Sequence, residues 1–164
     1  MVASGVVNGR ARYATDAAWS NRLLEALPTA VFADISGVDA PVVAKADKRQ
    51  LHQDNGTVAV DMESHIAARI AAEHGIPFAA CRVIIDPAER TLPPAALVGM
   101  RADGRADIRA VALSLLRQPR QLFALMRVVA DARAARSALF QGRRRLGAGL
   151  SFPHSGAMQL SPSV

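Results

Sequence analysis

The chain has 164 residues, 51% of them apolar and 21% charged, which suits one domain with a real core rather than two comfortable domains or a disordered polymer. No run of about 18 uncharged apolar residues occurs, and the start lacks the charged flank, apolar stretch and small-residue cleavage site of a secretory leader, so neither a spanning helix nor a signal peptide is expected. The net charge of +6 is uneven: residues 101–145 hold eleven arginines against Asp103, Asp107 and Asp131, leaving the remainder slightly acidic. Either a local anionic partner or arginine solvating the outer faces of alanine-rich helices accounts for that. The single Cys81 cannot form an internal disulfide and fits a reducing compartment, so the expected location is the cytoplasm.

In chain order, residues 2–7 read as a short strand entering an Asn8-Gly9 turn. Thr15 or Asp16 is placed to cap a helix running to about Leu27, with Trp19, Leu23, Leu24 and Leu27 at helical spacing. Ala30 to Ile35 reads as a strand and Ala44 to Gln53 as a short polar helix, ended by the Asp54-Asn55-Gly56 turn. Thr57 to Val60 then predicts a buried strand, Met62 to His74 a helix stopped by Gly75, and Phe78 to Ile85 a strand buried on both faces and broken at Asp86-Pro87. Strand, helix and strand within about thirty residues predict a crossover unit with parallel strands.

Beyond Pro93-Pro94 the pattern is helical, with segments at 94–100, 106–118 and about 120–140. Ile108, Val111, Ala112, Leu115 and Leu116 form the apolar stripe of the second, and Leu122, Leu125, Met126 and Val129 that of the third. Both stripes are expected to face the core. The fold class is therefore α/β, with a mixed or mostly parallel central sheet and a helical C-terminal extension. The domain spans 1–141, and 142–164 is expected to be a poorly ordered tail.

Two carboxylates occupy special positions. Glu63 sits where a strand gives way to a helix, and Asp86 where the next strand ends. Ligands of open α/β sheets bind outside such strand ends, so the two are expected to reach one crevice. Asp61 is the lesser candidate, because neighbouring strand residues point to opposite faces. Cleavage of an N-glycosidic bond would use such a pair: one carboxylate binds the sugar hydroxyls, the other protonates the departing base. Against the apolar Ile84 and Ile85, Asp86 is expected to keep a proton to donate.

The segments Val60-Asp61-Met62-Glu63-Ser64 and Arg82-Val83-Ile84-Ile85-Asp86 resemble the paired signature of the nucleoside phosphorylase and methylthioadenosine/adenosylhomocysteine nucleosidase superfamily, a three-layer α/β fold. The resemblance implies that Met62 packs on the ribose, Glu63 binds its hydroxyls, and Asp86 protonates or hydrogen-bonds the purine N7. Phe78 is implied as a base contact or a core residue. The stretch DMESH with RVIIDPAERTLPPAAL and the arginine-rich helices is similar to the hopanoid-associated branch, as are Tyr13 to Trp19 and Gly37-Val38-Asp39. That implies release of adenine from adenosylhopane in hopanoid biosynthesis, by phosphorolysis or hydrolysis. No cofactor is implied beyond phosphate as a co-substrate. The alternatives are a soluble methylthioadenosine/adenosylhomocysteine nucleosidase and a non-catalytic fragment.

Against the family pattern, the chain lacks the opening strand with its glycine-containing loop, and Ile85 stands where nucleosidases have a small residue. It is therefore expected to be the C-terminal portion of such a domain, with a bare strand edge that invites association, homo-oligomeric or with a partner chain. His65 is expected to be structural. His52, His74 and His154 have no metal-ligand spacing with Cys81, so no metal site is expected. Contact with phosphate is open to Arg82 or Arg90, but pairing with Asp86 or Glu89 is the plainer expectation. Aromatics do not interleave with Arg143-Arg144-Arg145, so nucleic acid is not an expected partner. An adenosyl-linked small molecule or lipid is, together with peripheral contact to an anionic membrane through the basic helices, at the inner membrane face.

Overall fold

The computed structural model describes residues 1–89, 93–98 and 107–153. Its first half is a four-stranded mixed sheet built from β1 (Val2–Asn8), β2 (Ala11–Ala14), β3 (Phe32–Gly37) and β4 (Ala59–Asp61), in the order β2-β1-β3-β4. Strands β1, β3 and β4 are parallel, and β2 returns antiparallel to β1. The Asn8-Gly9 turn therefore closes a hairpin whose second strand the sequence pattern did not announce. Gly9 makes it possible with a φ of +56, a region closed to most side chains. A bidentate ion pair ties the hairpin to the sheet: Arg12 on β2 donates to both oxygens of Asp34 on β3, at 2.7 and 2.8 Å. Arg12, joined by the Ser4 hydroxyl and working against partial desolvation, holds the Asp34 carboxyl below its ordinary range.

Helices α1 (Ala17–Ala26) and α2 (Lys45–Asn55) connect the strands, and α3 (Ser64–Glu73) follows β4. Asp16 caps α1 by accepting from the Trp19 N–H, and left-handed Gly56 and Gly75 follow α2 and α3. The core is small: Ala3, Val6, Ile35, Ala68 and Ala80 are buried together, with Met1, Tyr13, Ala59 and Phe78 packed against them.

The segment after α3 departs from expectation. Residues 78–85 do not form a strand buried on both faces, and the parallel crossover unit does not form there. Instead an extended stretch runs antiparallel along the start of β1, with one isolated bridge between Val2 and Cys81. The Ala3 N–H donates to the Ala80 carbonyl and the Arg82 N–H to the Met1 carbonyl. Ile84 and Ile85 are 50% and 51% exposed. A continuous apolar run signals burial but not what provides it, and the described sheet lays no second strand against this one.

The C-terminal part consists of α4 (Pro94–Val98), α5 (Ile108–Arg117) and α6 (Gln121–Leu146). Helix α6 continues six residues past the expected end near 140, and residues 147–153 turn back onto α1, where the Trp19 indole N–H donates to the Leu150 carbonyl and Phe152 meets Trp19 edge-on at 4.9 Å. The remainder of the tail, 154–164, lies outside the described residues.

Candidate active site

A groove of about 530 Å³ opens between α2, β4 and the stretch 82–89, with Lys48, Asp61, Arg82 and Asp86 among its walls. Helix α2 is mostly polar and buries a single residue, Lys48. Its ammonium, on a side chain only 7% exposed, donates to Asp86 Oδ2 at 2.5 Å and lies 3.4 Å from the Pro87 carbonyl. A buried ammonium needs a carboxylate partner, because desolvating it alone costs several kcal/mol, on the order of what a whole domain has to spare. Pairing with Lys48 thus anchors the end of the extended stretch to α2. It also replaces the apolar surroundings expected for Asp86: its closest partner is a cation, and Ile84 and Ile85 lie half open to solvent.

The second carboxylate of the groove is Asp61, at the last position of β4. Its Oδ1 accepts from the Ser64 N–H at 2.9 Å and the Glu63 N–H at 3.3 Å, so it caps the start of α3. Its Oδ2 accepts from Arg82 Nε at 2.6 Å and from the Ser64 hydroxyl, while Arg82 Nη2 donates to Ser64 Oγ at 2.7 Å. Burial pushes the Asp61 carboxyl up, but the Ser64 hydroxyl, Arg82 and the Ser64 N–H outweigh it, and it titrates below the ordinary aspartate range. Arg82 therefore pairs with Asp61, not with Asp86 or Glu89 as expected. Arg90 lies outside the described residues.

Of the four residues singled out in the sequence, the structure brings Asp86 alone into the groove. Met62 and Glu63 are exposed at the start of α3, and neither lines the groove. Glu63 stands at its rim, one hydrogen bond away through its N–H to Asp61, and its side chain does not cap the helix. Phe78 packs against the core cluster, its carbonyl accepting from the Asp16 N–H at 2.7 Å. The expected convergence of Glu63 and Asp86 is replaced by convergence of Asp61 and Asp86. The pleat argument that set Asp61 aside fails for a local reason: β4 ends at Asp61 and the chain bends at 62–63, so strand alternation does not extend to Glu63. Lys48 was missed because a lysine in a polar helix carries no sign that it faces inward.

The phosphorylase superfamily matches residues 5–117, from within β1 to the end of α5, which is more than half of the chain. The chain belongs to the phosphorylase superfamily. No curated protein and no solved structure matches it. Membership accounts for the mixed sheet flanked by helices and places the chain among enzymes that cleave N-glycosidic bonds. Lys48, Asp61, Glu63, Arg82 and Asp86 all fall inside the matched span of this phosphorylase-superfamily chain, and α6 falls outside it.

Beside the groove, the loop after β3 and the start of α3 approach closely. His65 is buried, with Nε2 3.1 Å from Asp39 Oδ1 and Nδ1 without a partner among the described residues. It lies directly against Gly37, where an added Cβ would come within 2.3 Å of the His65 Cβ. Gly37→Ala is therefore expected to destabilise the fold by about 1–3 kcal/mol, the usual cost of overpacking. Urea denaturation measures it, and an unchanged midpoint would show that this contact yields freely.

Proposed function

We propose that this phosphorylase-superfamily chain acts on the N-glycosidic bond of an adenosyl compound, with adenine as the leaving group and a hopanoid-like lipid as the 5′-substituent. The observation that carries the reading is the Asp86 carboxylate, paired with a buried ammonium in a groove able to admit a planar base, within the span that matches the superfamily. The resemblance of the DMESH and RVIIDPAER segments to the hopanoid-associated branch supports the choice of adenine and of the lipid. The lone cysteine supports a cytoplasmic setting.

As the bond breaks, its electron pair moves onto the purine and positive charge grows on the sugar. Asp86 hydrogen-bonds the purine at N7 and passes to it a proton taken from the Lys48 ammonium, which is left as a neutral amine. Glu63, at the rim with its carboxylate not spent on the helix start, binds the ribose hydroxyls, and Met62 covers the sugar. Phosphate or water then takes the sugar carbon.

Adenine binding to the full chain, followed by calorimetry, and adenine release from 5′-substituted adenosines, followed by chromatography with and without phosphate, test the reading. Binding of adenine, and release favouring apolar 5′-substituents, are expected. Failure to bind adenine at millimolar concentration would remove it. Glu63→Ala is expected to weaken nucleoside binding roughly 10- to 100-fold, the worth of about 1.5–3 kcal/mol in a charged hydrogen bond, while adenine alone binds as before. Equal losses for base and nucleoside would contradict the sugar assignment.

A further inference from the structure

We infer that the exposed face of α5 and α6 is a docking surface for an anionic lipid bilayer, a property separate from the groove and from the glycosidic reading. Only part of the apolar stripes read as core lies there: Val111, Leu115 and Leu125 are half-buried, and the rest are exposed. In α5 the half-buried positions are Ala110, Val111, Ser114 and Leu115, so the helix turns those inward. Ile108, Ala112 and Leu116, one turn apart, form an outward row instead, and Ile108 and Leu116 are 77% and 81% exposed. The next row outward is Arg109, Leu113 and Arg117.

Helix α6 repeats the arrangement. Its inward positions include Leu125, Val128, Asp131, Ala132, Ala135 and Leu146. Leu122, Met126 and Val129 share an outward row, flanked by Phe123, which is 79% exposed. Further along, the outward face becomes basic: Arg133 and Arg136 follow, Arg136 stacks over the Phe140 ring at 5.5 Å, and the helix ends in Arg143-Arg144-Arg145. Residues 107–146 hold nine arginines against two aspartates, and Asp107 is engaged in capping α5 through the Ala110 N–H at 3.0 Å.

Charge decides among the candidate occupants. A second copy meeting this face by twofold symmetry would bring Arg109, Arg117, Arg133 and Arg136 up against further arginines. A nucleic acid would neutralise the arginines but leave Ile108, Leu116, Leu122 and Met126 facing a polar backbone. A bilayer with anionic headgroups accepts both: the apolar rows enter the boundary between headgroups and acyl chains, and the arginines stay at phosphate level. Among the described residues no helix is long and apolar enough to cross a membrane, so the helices would lie on the surface.

Co-sedimentation of the full chain with vesicles tests this, comparing phosphatidylcholine alone with phosphatidylcholine plus phosphatidylglycerol. Binding to the anionic vesicles at low salt, largely lost near 1 M salt where the Debye length is about 3 Å, is expected. Leu116→Asp and Phe123→Asp, both far from the core, are each expected to lower partitioning roughly tenfold with unchanged melting temperature. Arg133→Glu with Arg136→Glu is expected to abolish the preference for anionic lipid. Equal binding to both vesicle types, apolar variants that partition like the parent, a dimer dispersed by Leu116→Asp, or tighter binding to duplex DNA than to vesicles would each overturn the inference.

Discussion

Asp86→Asn is expected to slow adenine release by about 10²- to 10⁴-fold, the usual worth of one general acid. Asparagine keeps the shape of the side chain and an oxygen for the Lys48 ammonium, but has neither a proton to deliver to the purine nor a charge to match the lysine. The same change takes the Asp86 charge away from a nearly buried ammonium, so some loss of stability comes with it. The two effects separate in the double variant Asp86→Asn with Lys48→Met. Removing the ammonium restores the melting temperature, and adenine release stays low because the proton donor is still absent. Recovery of both would mean that Asp86 serves only to neutralise Lys48, and the catalytic assignment would fall.

Asp61→Asn is expected to cost about 2–3 kcal/mol at neutral pH, lowering the melting temperature by roughly 4–9 °C in a chain of this size. The carboxylate joins three elements, accepting from Arg82 Nε, the Ser64 hydroxyl and the first N–H groups of α3, so its charge is used on every side. The folded carboxyl titrates below its ordinary value, so the folded state binds fewer protons there than the unfolded chain. Its contribution is therefore fully present above the ordinary aspartate value near 3.9 and is lost as pH falls through the lower folded value. Melting curves of parent and variant are expected to lie apart at pH 7 and converge in acid below that value. A constant gap down to that range would show that packing, not charge, carries the effect.

Local order was legible wherever a short-range rule governs it. Asp16 as a helix cap, Gly56 and Gly75 as left-handed stops, and Asn8-Gly9 as a tight turn depend on the backbone within a few residues, and periodicity located α1, α3, α5 and α6. The site was legible in part. Acidic residues at the ends of β4 and of the extended stretch marked the neighbourhood, and the signature segments marked the superfamily. Which carboxylate faces the groove was not legible, because the bend at 62–63 decides it. Nor was Lys48, whose inward position depends on Asp86, thirty-eight residues away.

The sequence alone therefore determined the helices, the turns and the superfamily, since caps, glycines and signature residues act or are read locally. Tertiary structure alone decided what faces what. Apolar periodicity states that a helix has two unlike faces without saying which is covered, and in α5 and α6 much of the apolar face lies outward. A run such as Phe78 to Ile85 shows that apolar side chains are present, whereas burial depends on whether another layer arrives to cover them. Pairing follows the same logic: Arg82 reaches Asp61 and Lys48 reaches Asp86 because charges leaving water take the nearest opposite charge in space.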